Sequence, residues 1–74
     1  MRFPKNFIRR GNYRFLYDEN GNHMHVAIIQ WNTGKEKNFY VERTDNRFIH
    51  KTIPGKGDAA QEEAIRVAYE MAAR

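Results

Sequence analysis

The pattern of apolar and polar positions changes once along the chain, from strand-like alternation to helical spacing. Between residues 12 and 53, runs rich in aromatic and β-branched residues are separated by short turn-forming segments, which is typical of an antiparallel meander. From residue 58 onward, apolar residues recur every three or four positions, which is typical of an amphipathic helix. The pattern predicts an α+β fold with a three- or four-stranded antiparallel sheet and one C-terminal helix packed on one face.

The strand pattern covers residues 13–17, 23–31, 37–43 and 47–53. Asn20-Gly21 is a strong hairpin signal, because both residues tolerate a positive φ. Pro54 and Gly55 end the pattern, and Asp58 is the predicted N-cap of the helix, with Gln61 as its capping-box partner. The predicted core consists of Met24, Val26, Ile28, Phe39, Val41, Ile49, Ile53, Ala64, Val67, Ala68 and Met71.

Length and charge divide the chain into a basic arm, residues 1–11, and a single small α+β domain, residues 12–74. Residues 1–14 hold five bases and no acid, whereas residues 57–74 hold four acids and two bases. This asymmetry favours a polyanionic partner. The longest aliphatic run, residues 26–29, is far shorter than the ~20 residues that span a bilayer, and there is no cysteine. We therefore expect a cytoplasmic protein with no membrane partner.

Basic residues interleaved with aromatic ones predict a nucleic-acid interface. One helix covers only one face of a sheet, so we expect rings on the uncovered face, where they can contact bases. Arg9, Arg10 and Arg14 would neutralise phosphates, and basic strand residues would line the exposed face. The candidate site consists of Arg9, Arg10, Arg14, Trp31, Lys35, Lys37, Tyr40, Arg43 and Arg47. The alternative interpretation is a solvated basic surface around core aromatics.

The segment 62–72, with the sequence EEAIRVAYEMA, follows the predicted strands. This order resembles the ethylene-response (APETALA-type) DNA-binding domain and the related arm-binding domains of tyrosine recombinases. The resemblance implies a sheet laid in the major groove with the helix as its back support, and a role for basic residues on the strands. It favours DNA as the partner and transcriptional or mobile-element control as the setting.

A second hypothesis is a small phage-type regulator that binds a host protein, such as a component of the transcription machinery, and inhibits or redirects it. Residues 15–74 hold eight bases and nine acids, a mixed charge that suits a protein partner. The arm would then contact an acidic surface, and Trp31, Tyr40 or Phe48 would anchor the interface.

A third hypothesis is a metal site or an enzyme. His23 and His25 share one strand face, His50 can lie on a neighbouring strand, and three histidines can bind zinc. However, no acid–base pair or nucleophile is evident, and no other ligand pattern surrounds the histidines. Gly55-Lys56-Gly57 before the helix could hold a phosphate, but it lacks the P-loop spacing. We expect no enzyme activity, no cofactor and no metal.

Overall fold

The computed structural model describes residues 3–33, 36–55 and 57–73, and the side chains of residues 31–33 and 36–37 fall outside that description. The elements are β1 (Phe7–Arg10), β2 (Tyr13–Tyr17), β3 (His23–Thr33), β4 (Glu36–Arg43), β5 (His50–Ile53) and α1 (Asp58–Ala72). The strands form one antiparallel sheet in sequence order. The predicted α+β meander with a C-terminal helix is confirmed, but the sheet has five strands instead of three or four.

The additional strand, β1, comes from the segment predicted to be an arm. Gly11 takes a φ of 62° in the two-residue turn that joins β1 to β2, a conformation that glycine adopts without steric cost. Phe7 is buried in the core, and the backbone N–H of Tyr17 donates to the carbonyl of Asn6 at 3.0 Å. A glycine turn and a buried phenylalanine therefore convert the last part of the basic segment, Phe7–Arg10, into an edge strand.

One hydrophobic core lies between the sheet and α1. It comprises Phe7, Leu16, Val26, Ile28, Phe39, Val41, Ile53, Ala60, Ala64, Val67, Ala68 and Met71. Phe7, Leu16 and Ala60 were not among the predicted core residues. The prediction for Ile49 is wrong, since its side chain is 37% exposed; β5 begins only at His50, which leaves Ile49 in the preceding turn.

The two ends of α1 are held in different ways. Its N-cap is Gly57, with a φ of 93°, so the prediction of Asp58 as N-cap is wrong. Asp58 is the first helical residue instead, where its charge is favourable to the helix dipole. At the other end, Nη1 of Arg43 donates to the carbonyl of Met71 at 2.8 Å. Within the described ranges, α1 is the one helix, and its 15 residues do not qualify as a membrane-spanning segment.

Candidate nucleic-acid interface

The strand register divides the sheet into two faces with different chemistry. Directly opposed residues of antiparallel strands share a face, so the pairs that include Val26 and Ile28 define the covered face, against which α1 packs. The residues that alternate with these along each strand lie on the opposite face, named here the open face. Two cross-strand rows make up its centre: Arg10, Tyr13, Ile29, Tyr40 and Thr52, and then Ile8, Phe15, Ala27, Glu42 and His50. The described chain places no helix on this face.

Five rings on β2 and β3, named here the ring cluster, are in mutual contact on the open face. They are Tyr13, Phe15, Tyr17, His23 and His25. Tyr13 stacks on Phe15 with ring centroids 5.7 Å apart and planes at 24°. His23 contacts Phe15 at 5.7 Å and Tyr17 at 5.2 Å, and His25 lies 5.2 Å from His23. All five side chains are at least partly exposed, so the cluster presents a continuous aromatic surface to solvent.

An irregularity in β3 shapes the edge of the ring cluster. Between the pairs Phe15–Ala27 and Tyr17–His23, β3 contains two more residues than β2. His25 takes a φ of 59°, an uncommon value for a residue other than glycine. Its backbone N–H donates to Nδ1 of His23 at 2.8 Å, and its carbonyl accepts from the N–H of Thr44 at 2.9 Å. Outlier backbone conformations of this kind cluster at functional sites.

A pocket of about 270 Å³ opens beside the ring cluster. Its lining consists of Arg10, Phe15, Tyr17 and His23. One guanidinium therefore stands next to three rings, within a single concave surface. Rings can stack on a nucleobase, and a guanidinium can donate to phosphate oxygens. The pocket thus combines one cationic donor with three ring surfaces.

A second pair of rings lies across the sheet from the ring cluster. Tyr40 and His50 stack with centroids 5.2 Å apart and planes at 28°. The surface between the two groups is formed by Ala27 and by Ile29, which is only 5% exposed. Tyr13 and Tyr40 flank Ile29 from the neighbouring strands, so their backbones stand about 10 Å apart. Ala27 is fully buried as well, so the middle of the open face exposes little apolar surface between the two aromatic groups.

The charge on the open face differs from the prediction of a basic sheet face. Among the residues with described side chains, the open face carries one exposed cation, Arg10. It also carries one acid, Glu42, which is 9% exposed. Arg14 pairs with Ile28, and Arg43 pairs with Val26. Strand alternation therefore places both arginines on the covered face, and the expectation that Arg43 lines the exposed face is wrong.

Each of these covered-face arginines has local contacts. The guanidinium carbon of Arg14 lies 4.2 Å from the centre of the Phe3 ring. Burial, and next the charge of Arg9, lower the pKa of Arg14 below its ordinary value. Arg43 forms a two-pronged ion pair with Asp45, with both N–O distances at 2.9 Å, and this pairing raises the pKa of Arg43. Arg43 thus helps to join β4 to the end of α1.

The remaining predicted site residues are spread over the molecule. Arg10 and Tyr40 lie on the open face, Arg9 pairs with Arg14 on the covered face, and Arg47 is exposed in the turn before β5. The side chains of Trp31 and Lys37, and all of Lys35, lie outside the described residues.

The prediction missed the ring cluster as a unit. The signal was present in the sequence, because Tyr13, Phe15 and Tyr17 recur at the period of two that places them on one strand face.

The histidines do not gather into a metal site in the part of the chain that the structure describes. No group of three His, Cys, Asp or Glu side chains within that part could hold a metal ion. His50 stacks on Tyr40, whereas His23 and His25 belong to the ring cluster. The three histidines thus contribute to aromatic surfaces.

Comparison with protein-family models, curated proteins and solved structures finds no match to this chain. The resemblance to the APETALA-type and recombinase arm-binding domains therefore stays a prediction. The case for a function is carried by the geometry of the open face.

Proposed function

We propose that this protein binds nucleic acid through the open face of its sheet, and that the bound form is single-stranded. The observation that carries the proposal is the ring cluster, five contacting rings at the surface with Arg10 beside them in one pocket. Proteins that bind single strands combine stacking rings with cationic groups that follow the backbone. We place this activity in transcriptional or mobile-element control, with DNA as the favoured ligand.

The chemistry of the open face favours an unpaired strand over a duplex. Rings can stack on a base only when the base leaves its own stack. A sheet that reads a duplex in the major groove instead needs Arg, Lys, Asn or Gln side chains directed at base edges. Among the described side chains of the open face, Arg10 and Asn38 are of that type. The aromatic groups outnumber them and lie on both sides of the central strand β3.

A strand bound in this way would place charged and uncharged groups over different parts of the face. A phosphate next to the pocket would accept hydrogen bonds from Arg10, while a base stacks on Phe15 or Tyr17. Uncharged bases would cross the middle of the face above Ala27, where Glu42 is largely shielded from solvent. A carboxylate at that position repels phosphates but can accept a hydrogen bond from a base amino group.

The test compares affinities for a labelled single strand and for the same sequence as a duplex, by fluorescence anisotropy at low salt. We expect the single strand to bind more tightly. Phe15→Ala should weaken its binding by about 5- to 150-fold, the equivalent of losing one stacked base. Phe48→Ala is the matched control, because Phe48 is 94% exposed and lies in the turn before β5. Parallel DNA and RNA strands distinguish the two kinds of ligand.

Two outcomes would contradict the proposal. The first is an affinity for the duplex equal to that for the single strand. The second is equal binding by the Phe15→Ala variant and the wild-type protein, once thermal melting has shown that both are folded.

One observation favours a protein partner as the second candidate function. Phe48 projects beside a groove of about 290 Å³, which is lined by Phe48, Ile49, His50, Lys51, Val67, Glu70 and Met71. An exposed ring beside a groove of mixed polarity can anchor a protein interface. If this surface binds a host protein, capture of one stoichiometric partner should survive nuclease treatment and be lost with Phe48→Ala. Phe15→Ala should leave that capture intact.

A further inference from the structure

A polar cleft lies on the covered face, near the turn that joins β1 and β2. Arg9 and Arg14 are directly opposed across these strands and share their face with Ile28. The cleft has a volume of about 200 Å³ and is lined by Arg9, Gly11, Asn12, Arg14 and Gln30. It is thus separated from the ring cluster by the thickness of the sheet.

Both guanidinium groups in this cleft are held by local contacts. The Phe3 ring packs against the guanidinium of Arg14 at 4.2 Å, a contact that restrains a planar cation while leaving its N–H edges available. Nε of Arg9 donates to the carbonyl of Gly11 at 3.1 Å. The terminal nitrogens of Arg9 lie outside that hydrogen bond. The cleft therefore contains two partly ordered forks of donors.

The charges in the cleft are of one sign. Its five lining residues include two arginines and no acid. Burial, and next the charge of Arg9, lower the pKa of Arg14. Two guanidinium groups that line one cleft repel each other. An anion placed between them would convert this repulsion into two attractive contacts. The side-chain amides of Asn12 and Gln30 can supply further donors to the same anion.

We infer that this cleft binds a phosphate group, preferably the doubly charged phosphate of a monoester or of inorganic phosphate. Two guanidinium groups match the charge of a dianion, and each can donate to two phosphate oxygens at once. A phosphodiester within a strand carries one negative charge and matches the pair less well. The inference does not depend on the proposed function, because the cleft and the open face lie on opposite sides of the sheet.

The experiment is a titration of the ¹⁵N-labelled protein with sodium phosphate at pH 7.5, followed by NMR. The arginine Nε–H and the Asn and Gln side-chain amide signals are recorded, with sodium chloride at matched ionic strength as the reference. We expect saturable shifts at Arg9, Arg14, Asn12 and Gln30 that chloride does not reproduce. Arg9→Gln should weaken phosphate binding about tenfold, the loss expected for one charged hydrogen-bonding group.

The matched control is Arg47→Gln, which removes the same charge from the turn before β5. It should leave the phosphate affinity unchanged. Non-saturating shifts, equal shifts with chloride, or equal losses in the Arg9→Gln and Arg47→Gln variants would overturn the inference.

A second comparison identifies the source of the phosphate. The ratio of affinities for a 5′-phosphorylated and a 5′-hydroxyl strand is measured in wild type and in Arg9→Gln. A ratio that falls in the variant supports a strand terminus as the ligand. A ratio of one in both proteins, with saturable binding of inorganic phosphate retained, supports a small phosphate compound. The contribution of the open face cancels in this ratio, because both strands share the same sequence.

Discussion

The two faces of the sheet differ in the kind of apolar residue that they carry. On the covered face, β3 and β4 present Val26, Ile28 and Val41, all at most 1% exposed against α1. On the open face, β2 presents rings that remain partly in solvent, such as Phe15 and Tyr17. Branched aliphatic side chains fill a close-packed core, whereas rings retain a surface that can stack on a ligand. The comparison shows that one face buries its apolar side chains in a core, whereas the other keeps rings partly exposed.

Coverage of the sheet explains why the faces can differ so much. A helix about 10 Å wide spans roughly two strand spacings of about 4.8 Å, and α1 contacts β3, β4 and β5. Phe3 and Phe7 extend the covered side toward the other edge, where Phe3 contacts Arg14 on β2. The helix and the N-terminal segment together thus cover one face of the sheet and leave the other uncovered by them.

The largest effect should come from the covered face. Ile28→Ala removes a side chain that is 1% exposed in the centre of the core, and such truncations cost about 2–5 kcal/mol. Phe15→Ala should cost less folding free energy, because its ring is partly exposed. Urea unfolding of both variants measures the difference. Equal losses of stability would show that the open face is also part of the core.

Smaller effects should distinguish Arg43 from Arg10, because one residue supports stability and the other supports binding. Arg43→Ala removes the hydrogen bond to Met71 and the ion pair with Asp45, so it should lower the melting temperature without weakening oligonucleotide binding measured below that temperature. Arg10→Ala should leave the melting temperature unchanged and weaken binding, with a shallower dependence of affinity on salt. Reversal of this pattern would move the binding surface to the covered side.

The smallest effect should be a change in acid sensitivity at the turn between β2 and β3. Hydrogen bonds from the backbone N–H groups of Asn22 and Asn20 hold the pKa of Asp18 below its ordinary value. A carboxyl with a lowered folded-state pKa stabilises the protein fully above its unfolded pKa of about 3.9 and loses that contribution as the pH falls through the folded value. Thermal melting between pH 6 and pH 2 should therefore show a smaller acid-induced decrease in Asp18→Asn than in wild type. Parallel curves would contradict the role of Asp18.

The sequence predicted the parts of the fold that local patterns determine. Residues 13–17 form the predicted strand with the same ends, and Ala64 and Met71 lie on the buried side of α1 as the helical spacing requires. The strand β1 was missed because it is only four residues long and includes two arginines. Its strand conformation depends on pairing with β2, which the local sequence does not indicate. Tertiary pairing of this kind overrides weak local signals.

The candidate site was harder to predict, since it depends on which face each residue joins. Arg43 was expected on the exposed side, but its direct pair with Val26 places it on the other. A shift of one residue in strand register exchanges the two faces, and composition does not determine register. The recurrence of rings at Tyr13 and Phe15, two positions apart, predicts a shared strand face more directly than the basic residues do.

The most direct test of the open face as the nucleic-acid-binding surface is an NMR titration with a short single-stranded oligonucleotide. The side-chain signals of Tyr13, Phe15, Tyr17 and His23 should shift upfield in a saturable manner, as stacking bases shield the rings. The methyl signals of Val26 and Val67, in the core between the sheet and α1, should stay in place. Shifts confined to α1 and the groove beside Phe48, with the ring cluster unperturbed, would contradict the account.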